Sequence, residues 1–222
     1  MAQNEARDAI LARIRSSIKQ SRIGFDPPSA PMERNYQRLG SRDSKERVEL
    51  FAERLREYDA RVTFTTPPDL CDSIGQVMGK VQSHTQAPRA PFWIVADGFP
   101  AGWLPSQQSI RWESSATVDD LNRCAGVLTI CSVGIAITGT IVLQHGQGEG
   151  KRQTTLIPDR HLCVIRTAQI VETVPEAFDR LATAATHPLT FISGPSATAD
   201  IEMTRIRGVH GPRQLDVFLL GE

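Results

Sequence analysis

Between Ser193 and Arg213 the chain reads SGPSATADIEMTRIRGVHGPR, and this span gathers most of the residue types that could do chemistry. Asp200, Glu202 and His210 are candidate acid–base groups, with His210 suited to proton transfer near neutral pH. Arg213 can pair bidentately with a carboxylate or a phosphate. The hydroxyls of Ser196 and Thr198 and the backbone from Gly194 onward can donate hydrogen bonds to an oxyanion. The chemistry implied is the binding of a small anion, with or without proton transfer. A plainer reading stands beside it, in which the span is a strand, a capped helix, a turn and a strand, and every Ser, Thr and Asp serves a cap.

The flanking elements must position these groups. Apolar runs rich in β-branched and aromatic residues lie on either side, Leu189 to Ile192 before and Val217 to Leu220 after, each of buried-strand length. Gly194-Pro195 ends the first run with a turn pair. A helix is then expected, capped by Ser196 or Thr198, with Asp200 and Glu202 in its first turns, where carboxylates suit the helix dipole. Gly208 and Gly211-Pro212 stop it and set His210 beside Arg213 in a tight turn.

The rest of the chain alternates strand and helix signals. Residues 4 to 20 carry Ile10, Leu11, Ile14 and Ile18 at helical spacing. Ser21 to Gly40, with Pro27, Pro28 and Pro31, reads as an extended connector rather than packed structure. Further helices are expected at Asp43–Tyr58, Pro68–Val81, Val118–Asn122 and Pro175–Thr186. Strands are expected at Arg61–Thr65, Phe92–Ala96, Gly126–Ser132, Thr140–Gln144, Thr154–Ile157 and Leu162–Arg166, with a turn over Val133–Gly139. This pattern predicts an α/β protein with a mostly parallel sheet, helices on its faces and an N-terminal helical extension. Residues 1–40 form the helix and connector, and residues 41–222 the α/β domain. Parallel sheets bind ligands at the carboxyl ends of their strands, and Ser193 follows a strand end.

A second polar stretch, His145-Gly-Gln-Gly-Glu-Gly-Lys-Arg152, precedes the strand expected at Thr154. Its glycines could present backbone N–H groups and two cations to an anion, or could form a flexible hairpin turn. The spacing excludes a Walker A loop.

Composition narrows the partners. With 25 basic and 25 acidic residues the formal charge is zero, which offers no electrostatic case for nucleic acid or an anionic membrane. No window approaches the roughly 20 apolar residues of a membrane span, and the N-terminus reads as an amphipathic segment rather than a signal sequence, so a cytoplasmic location is expected. Cys71, Cys124, Cys131 and Cys163 show no metal-type spacing and read as buried, reduced thiols, so neither a metal site nor a cofactor is expected on this chain. The first helix can dock on a partner, on a second copy in a homo-oligomer, or on its own domain.

The segment GPSATADIE at Gly194–Glu202, the GVHGPR at Gly208–Arg213, the GIAITGT at Gly134–Thr140 and the TLIPDRH ending at His161 resemble the LUD-domain family, in its lactate-utilisation protein C branch. The resemblance covers roughly Leu121 to Leu220. It implies a three-layer α/β/α sandwich, a fold like that of the sugar-phosphate isomerase and CoA-transferase group. It also implies a role beside iron–sulfur subunits in oxidising L-lactate to pyruvate. In the family's AETGT pattern a Glu precedes the Thr-Gly-Thr triplet, which adds Gly139 and Thr140 to the expected ligand-binding set. This chain has Ile137 there, so acid–base work would fall to Asp200, Glu202 and His210. The alternative on the same scaffold is a stand-alone enzyme for a sugar phosphate, a CoA ester or a folate, with Glu202 as nucleophile or base. A structural adaptor using the N-terminal helix is a third reading.

Overall fold

The computed structural model describes residues 2–21, 36–84, 92–181, 188–198, 206–207 and 211–221. The chain divides into two units, residues 1–36 and 37–222. In the first, helix α1 (Ala2–Ser21) exposes Ile10, Ile14 and Ile18 at the four-residue spacing that puts them on one face.

The second unit runs α2 (Ser44–Glu57), β1 (Arg61–Thr65), α3 (Leu70–His84), β2 (Trp93–Val95), β3 (Ile110–Trp112), α4 (Val118–Arg123), β4 (Gly126–Ile130), β5 (Val133–Ile135) and β6 (Thr140–Leu143). It continues with β7 (Arg160–Arg166), β8 (Ile170–Val171), α5 (Val174–Leu181), β9 (Thr190–Ile192), β10 (Ala197–Thr198), β11 (Ile206–Arg207) and β12 (Gln214–Leu220). Helix α2 starts where Asp43 accepts the Glu46 N–H at 2.9 Å while the Glu46 carboxylate accepts the Asp43 N–H at 3.2 Å. Such a reciprocal cap contributes about 1 kcal/mol. Its buried residues Val48, Phe51, Ala52 and Leu55 follow the three-and-four spacing of one helix face.

Strands β1-β12-β7-β4-β2-β3 form a six-stranded sheet in which every pairing is parallel. Side chains alternate across it, so β7 and β12 feed two cores at once. Cys163, Ile165, Val217 and Leu219 join Phe51 and Leu55 of α2 on one face. Leu162, Val164, Phe218 and Leu220 join Leu70, Ile74 and Met78 of α3 on the other. Coverage on both faces is why these strands read as continuous apolar runs. All four cysteines are free; Cys131 and Cys163 are buried, whereas Cys71 and Cys124 are only half-buried.

A second sheet, β8-β5-β6-β9, has antiparallel pairings at β5–β6 and β6–β9 and a parallel one at β5–β8. Ile141 and Leu143 face the core of α2, while Val133 and Val142 pack with Ala177 and Leu181 of α5. Three expectations change here. Val133–Ile135 is a strand, with only the residues after it forming the turn. The strand expected at Thr154–Ile157 is a series of turns, closed by local bonds from the Thr154 N–H to the Lys151 carbonyl and from the Ile157 N–H to the Gln153 carbonyl, each 3.0 Å. The end of the expected connector is packed. The Thr173 hydroxyl donates to the Arg38 carbonyl at 2.8 Å, and the Gly40 N–H donates to Glu176 at 3.1 Å.

Arg42 continues that strap onto buried Glu172, through its N–H at 2.7 Å and its guanidinium at 2.8 Å. Burial alone would push the Glu172 carboxyl up, but the backbone N–H groups of Arg42 and Ser41 and the Arg42 charge outweigh it, so the carboxyl lies below its ordinary range.

Phe51 is fully buried between the sheets. Phe51→Ala is expected to lower unfolding free energy by about 3–5 kcal/mol in urea denaturation. A loss below about 1 kcal/mol would contradict its central place in this core.

Candidate functional site

The site is built where β9 ends. Gly194 takes φ +84 and is buried against the last turn of α2, where an added Cβ would lie 2.5 Å from Tyr58 Cβ and 2.7 Å from its carbonyl oxygen. Gly139, at φ +57, lies against the same helix, its missing Cβ 2.7 Å from Arg54 Cβ. Both glycines from the expected ligand set therefore admit α2 to close contact. Thr140 stands behind Ser193, their hydroxyl oxygens 2.7 Å apart, and Thr138 extends the chain by a further 2.7 Å contact.

The helix expected after Pro195 is absent at its start. Ala197–Thr198 pairs antiparallel with Ile206–Arg207 as a two-stranded ribbon. The Ser196 N–H donates to the Pro212 carbonyl at 2.8 Å rather than to a local acceptor. An added Cβ on Gly211, at φ +149, would sit 3.3 Å from Ser196 Cβ. Non-local pairing has overridden a local capping preference, as tertiary context does for weak helix propensity. The pairing brings the two halves of the opening motif together.

Between them lies a cavity of about 260 Å³. Ser193–Ala197 and Gly211-Pro212 form one side, and His161 and Leu215, each the second residue of its strand, form another. Arg152, Thr155 and Leu156 close it from the preceding loop. The cavity therefore sits at the amino-terminal ends of β7 and β12, not at the carboxyl ends that a parallel sheet predicts. The reason is topological: Ser193 follows β9, which belongs to the second sheet.

Of the expected residues, Gly194 and Ser196 line this cavity, and Thr140 supports it through Ser193. Thr198 lies in β10, next to the lining residue Ala197. Arg213 is outside the lining, with its Nε 3.4 Å from Asp159 Oδ1 and both side chains largely exposed. Such a pair contributes about 0–1 kcal/mol. Asp200, Glu202 and His210 lie outside the described residues.

Two lining residues with ionisable side chains were absent from the expected set. His161 is fully buried, its Nε2 2.8 Å from Thr129 Oγ1. Burial pushes its pKa down to about 4, against the opposing attraction of Asp216, so the ring is neutral at neutral pH. The sequence signal was a histidine opening an apolar strand in the TLIPDRH segment. Arg152 is exposed, and its signal was the cation pair closing the glycine-rich stretch.

That stretch is neither an open anion cradle nor a loose hairpin. The Gly148 N–H donates to the Asp97 carbonyl at 2.6 Å, and the Lys151 N–H donates to buried Glu113 at 2.7 Å. The Thr154 hydroxyl also donates to Glu113. Buried Glu149 accepts from the Ser132 hydroxyl and from the Gln144 N–H. His145, at φ +58, places Nδ1 2.8 Å from the Gly150 carbonyl. A carbonyl only accepts, so Nδ1 carries a proton, and Nε2 is hydrogen-bonded to the Thr190 hydroxyl at 2.7 Å. His145 thereby clamps the loop to β9.

Comparison with known proteins places this architecture. The sequence model of the LUD domain matches residues 43–220. The chain belongs to the LUD-domain family. Lactate utilization protein C of Deinococcus radiodurans is similar to it, with 37% identity covering 98% of this chain and 96% of the relative. Lactate utilization protein C of Bacillus subtilis is 25% identical over 97% of this chain and 96% of its own. Among solved structures, the crystal structure of a DUF162 family protein from Deinococcus radiodurans matches with a TM-score of 0.68 and 32% identity, covering 82% of this chain and 100% of that one. The LUD match begins at the Asp43 cap of α2 and ends at the last residue of β12, so it includes both sheets and the cavity.

Two measurements check this site. With the His161 pKa near 4 in the fold against 6.5 when unfolded, the unfolded chain takes up a proton that the native site refuses. Stability is therefore lost as pH falls below the unfolded value, reaching a loss of about 3 kcal/mol near the folded value. Urea unfolding at neutral and mildly acidic pH should show a shallower decline in His161→Gln; an identical slope would contradict the assignment. Gly194→Ala should cost about 2–4 kcal/mol from the left-handed backbone and the Tyr58 overlap. Gly102→Ala, where nothing lies within 4 Å of the added carbon, serves as the neutral control.

Proposed function

We propose that this chain is the LUD-domain component of a cytoplasmic system that oxidises L-lactate to pyruvate, working beside iron–sulfur subunits and binding a small anionic ligand in the cavity at Ser193–Ser196. The observation that carries the reading is the 37% identity, over 98% of the chain, to a lactate utilization protein C. Oxidation of the hydroxyl to a ketone releases two electrons and two protons. The four cysteines lack cluster spacing, so electron transfer is assigned to partner chains.

In this reading Gly194, Ser196, Thr198 and Arg213 belong to the ligand-binding segment, with Gly139 and Thr140 supporting it. Proton transfer is assigned to Asp200, Glu202 and His210. Ile137 is substantially exposed at the turn before Thr138-Gly139-Thr140, so an apolar side chain occupies the place of the family carboxylate. The cavity volume also weighs against the stand-alone enzyme reading for CoA esters or folates. At about 260 Å³ it falls below the range of pockets that enclose drug-sized ligands, about 300–1,000 Å³.

Deletion of the gene should abolish growth on L-lactate as sole carbon source while leaving growth on pyruvate intact, and the intact gene supplied in trans should restore it. Normal growth of the deletion strain on L-lactate would sink the proposal.

A further inference from the structure

We infer that the cavity is a monocarboxylate site in which Arg152 supplies the cation and His161 a buried hydrogen-bonding group, with His145 positioning the loop that carries Arg152. This rests on the reading of the Ser193–Ser196 cavity as a ligand site, and it assigns the ligand class and the residues that select it.

The charge of the site comes first. Among the described lining residues, Arg152 alone carries a formal charge. Among the described residues, nearby arginines are committed elsewhere. Arg61 and Arg160 both pair with buried Asp216, at 2.6 and 3.1 Å, and Arg213 pairs with Asp159 at 3.4 Å. A guanidinium presents a planar fork that matches the two oxygens of a carboxylate. The single positive charge of the described lining suits a monoanion; a dianionic phosphate would leave half of its charge unmatched by it.

His161 supplies a second requirement. It is nine-tenths or more buried, yet it lines the cavity, and its Nε2 is held by Thr129 at 2.8 Å. The imidazole's other nitrogen, Nδ1, remains as its second hydrogen-bonding position. A neutral ring adds no charge, so it suits an uncharged oxygen on the ligand, such as a hydroxyl or keto oxygen next to the carboxylate. The Ser193 hydroxyl, which Thr140 orients at 2.7 Å, adds another donor or acceptor on the opposite side.

The third observation concerns order. Arg152 is exposed, and an exposed arginine on a loose loop would lose much rotamer and backbone freedom on binding. Its backbone is held instead. Glu113 accepts from Lys151 N–H and from the Thr154 hydroxyl, on either side of Arg152 in the chain. His145 ties the start of the same loop to its own Gly150 carbonyl and to Thr190, itself a lining residue. The loop is therefore fixed to the cavity wall before any ligand arrives, with His145 acting through Arg152 rather than on the ligand.

The test is isothermal titration of the purified full-length chain with L-lactate, pyruvate and inorganic phosphate at neutral pH. Saturable binding of at least one of the two acids is expected, weaker for phosphate. Arg152→Ala should weaken acid binding by about tenfold or more, as loss of a charge-assisted pair predicts, and Arg152→Lys by less. Arg123→Ala, which removes a surface partner of Asp119, should bind as the parent protein does. For His145→Gln, a double-mutant cycle with Arg152→Ala separates positioning from a general structural effect. The two losses should be less than additive if His145 works through Arg152. The inference is overturned if Arg152→Ala binds as tightly as the parent, if phosphate binds more tightly than both acids, if neither acid binds, or if the two losses simply add. Absent binding with growth on L-lactate lost on gene deletion would reject this inference and leave the proposed function standing. Arg152-dependent binding with normal growth would do the reverse.

Discussion

The close packing of α2 between two sheets is the constraint on which the other parts of this domain depend. Phe51 and Leu55 share one buried cluster with Ile165, Val217 and Leu219 of the parallel sheet and with Ile141 and Leu143 of the second sheet. The approach is possible because glycines stand where a side chain would collide. A Cβ on Gly134 would lie 2.7 Å from Ile165 Cδ1 and 3.0 Å from Phe51 Cζ. Gly139 and Gly194 meet the last turns of the same helix. Glycine in a strand or loop costs conformational entropy, but here it is offset by burial of a whole helix face. The ends of the helix thus set where β9 stops and where Ser193 points the chain towards the cavity.

Buried carboxylates form a second layer of organisation. Glu113, Glu149 and Glu172 are each almost inaccessible, and each accepts from at least one backbone N–H. An unpaired carboxylate at such depth would cost several kcal/mol, so these side chains fix irregular backbone only because the backbone answers them. Glu172 holds the strap before α2, while Glu113 and Glu149 hold the glycine-rich loop. Irregular segments become as well defined as strands, and one of them carries the cation of the cavity. In a LUD domain with an apolar residue at Ile137, that loop offers charge from a different direction than the family motif suggests.

Much of this was legible in the chain. The spacing of Val48, Phe51 and Leu55 marked α2, and Arg61–Thr65 was read to the residue as β1. The apolar runs at Leu162–Arg166 and Val217–Leu220 marked the centre of the parallel sheet. Family membership was legible from four short motifs, because each combines residue types that backbone geometry and packing constrain. Of the second sheet, β6 and β9 were legible at Thr140–Gln144 and Leu189–Ile192, but β5 is a three-residue strand whose glycine reads as a turn and β8 has only two residues. Short strands carry too few positions to show a period of two.

The sequence by itself determined the chemistry available at Ser193–Arg213, the alternation of strands and helices, and the family. Tertiary structure decided which of those groups meet. It turned a locally plausible helix cap at Ser196 into the lead-in to a two-stranded ribbon, with the Ser196 N–H donating to the distant Pro212 carbonyl at 2.8 Å. It put the cavity at the amino-terminal ends of β7 and β12, and it brought in His161 and Arg152 from segments that lie well upstream in the chain. Local patterns report what a residue can do next to its neighbours in sequence. Which side chains line a cavity depends on contacts between distant segments, and these follow from the burial of α2 against two sheets at once.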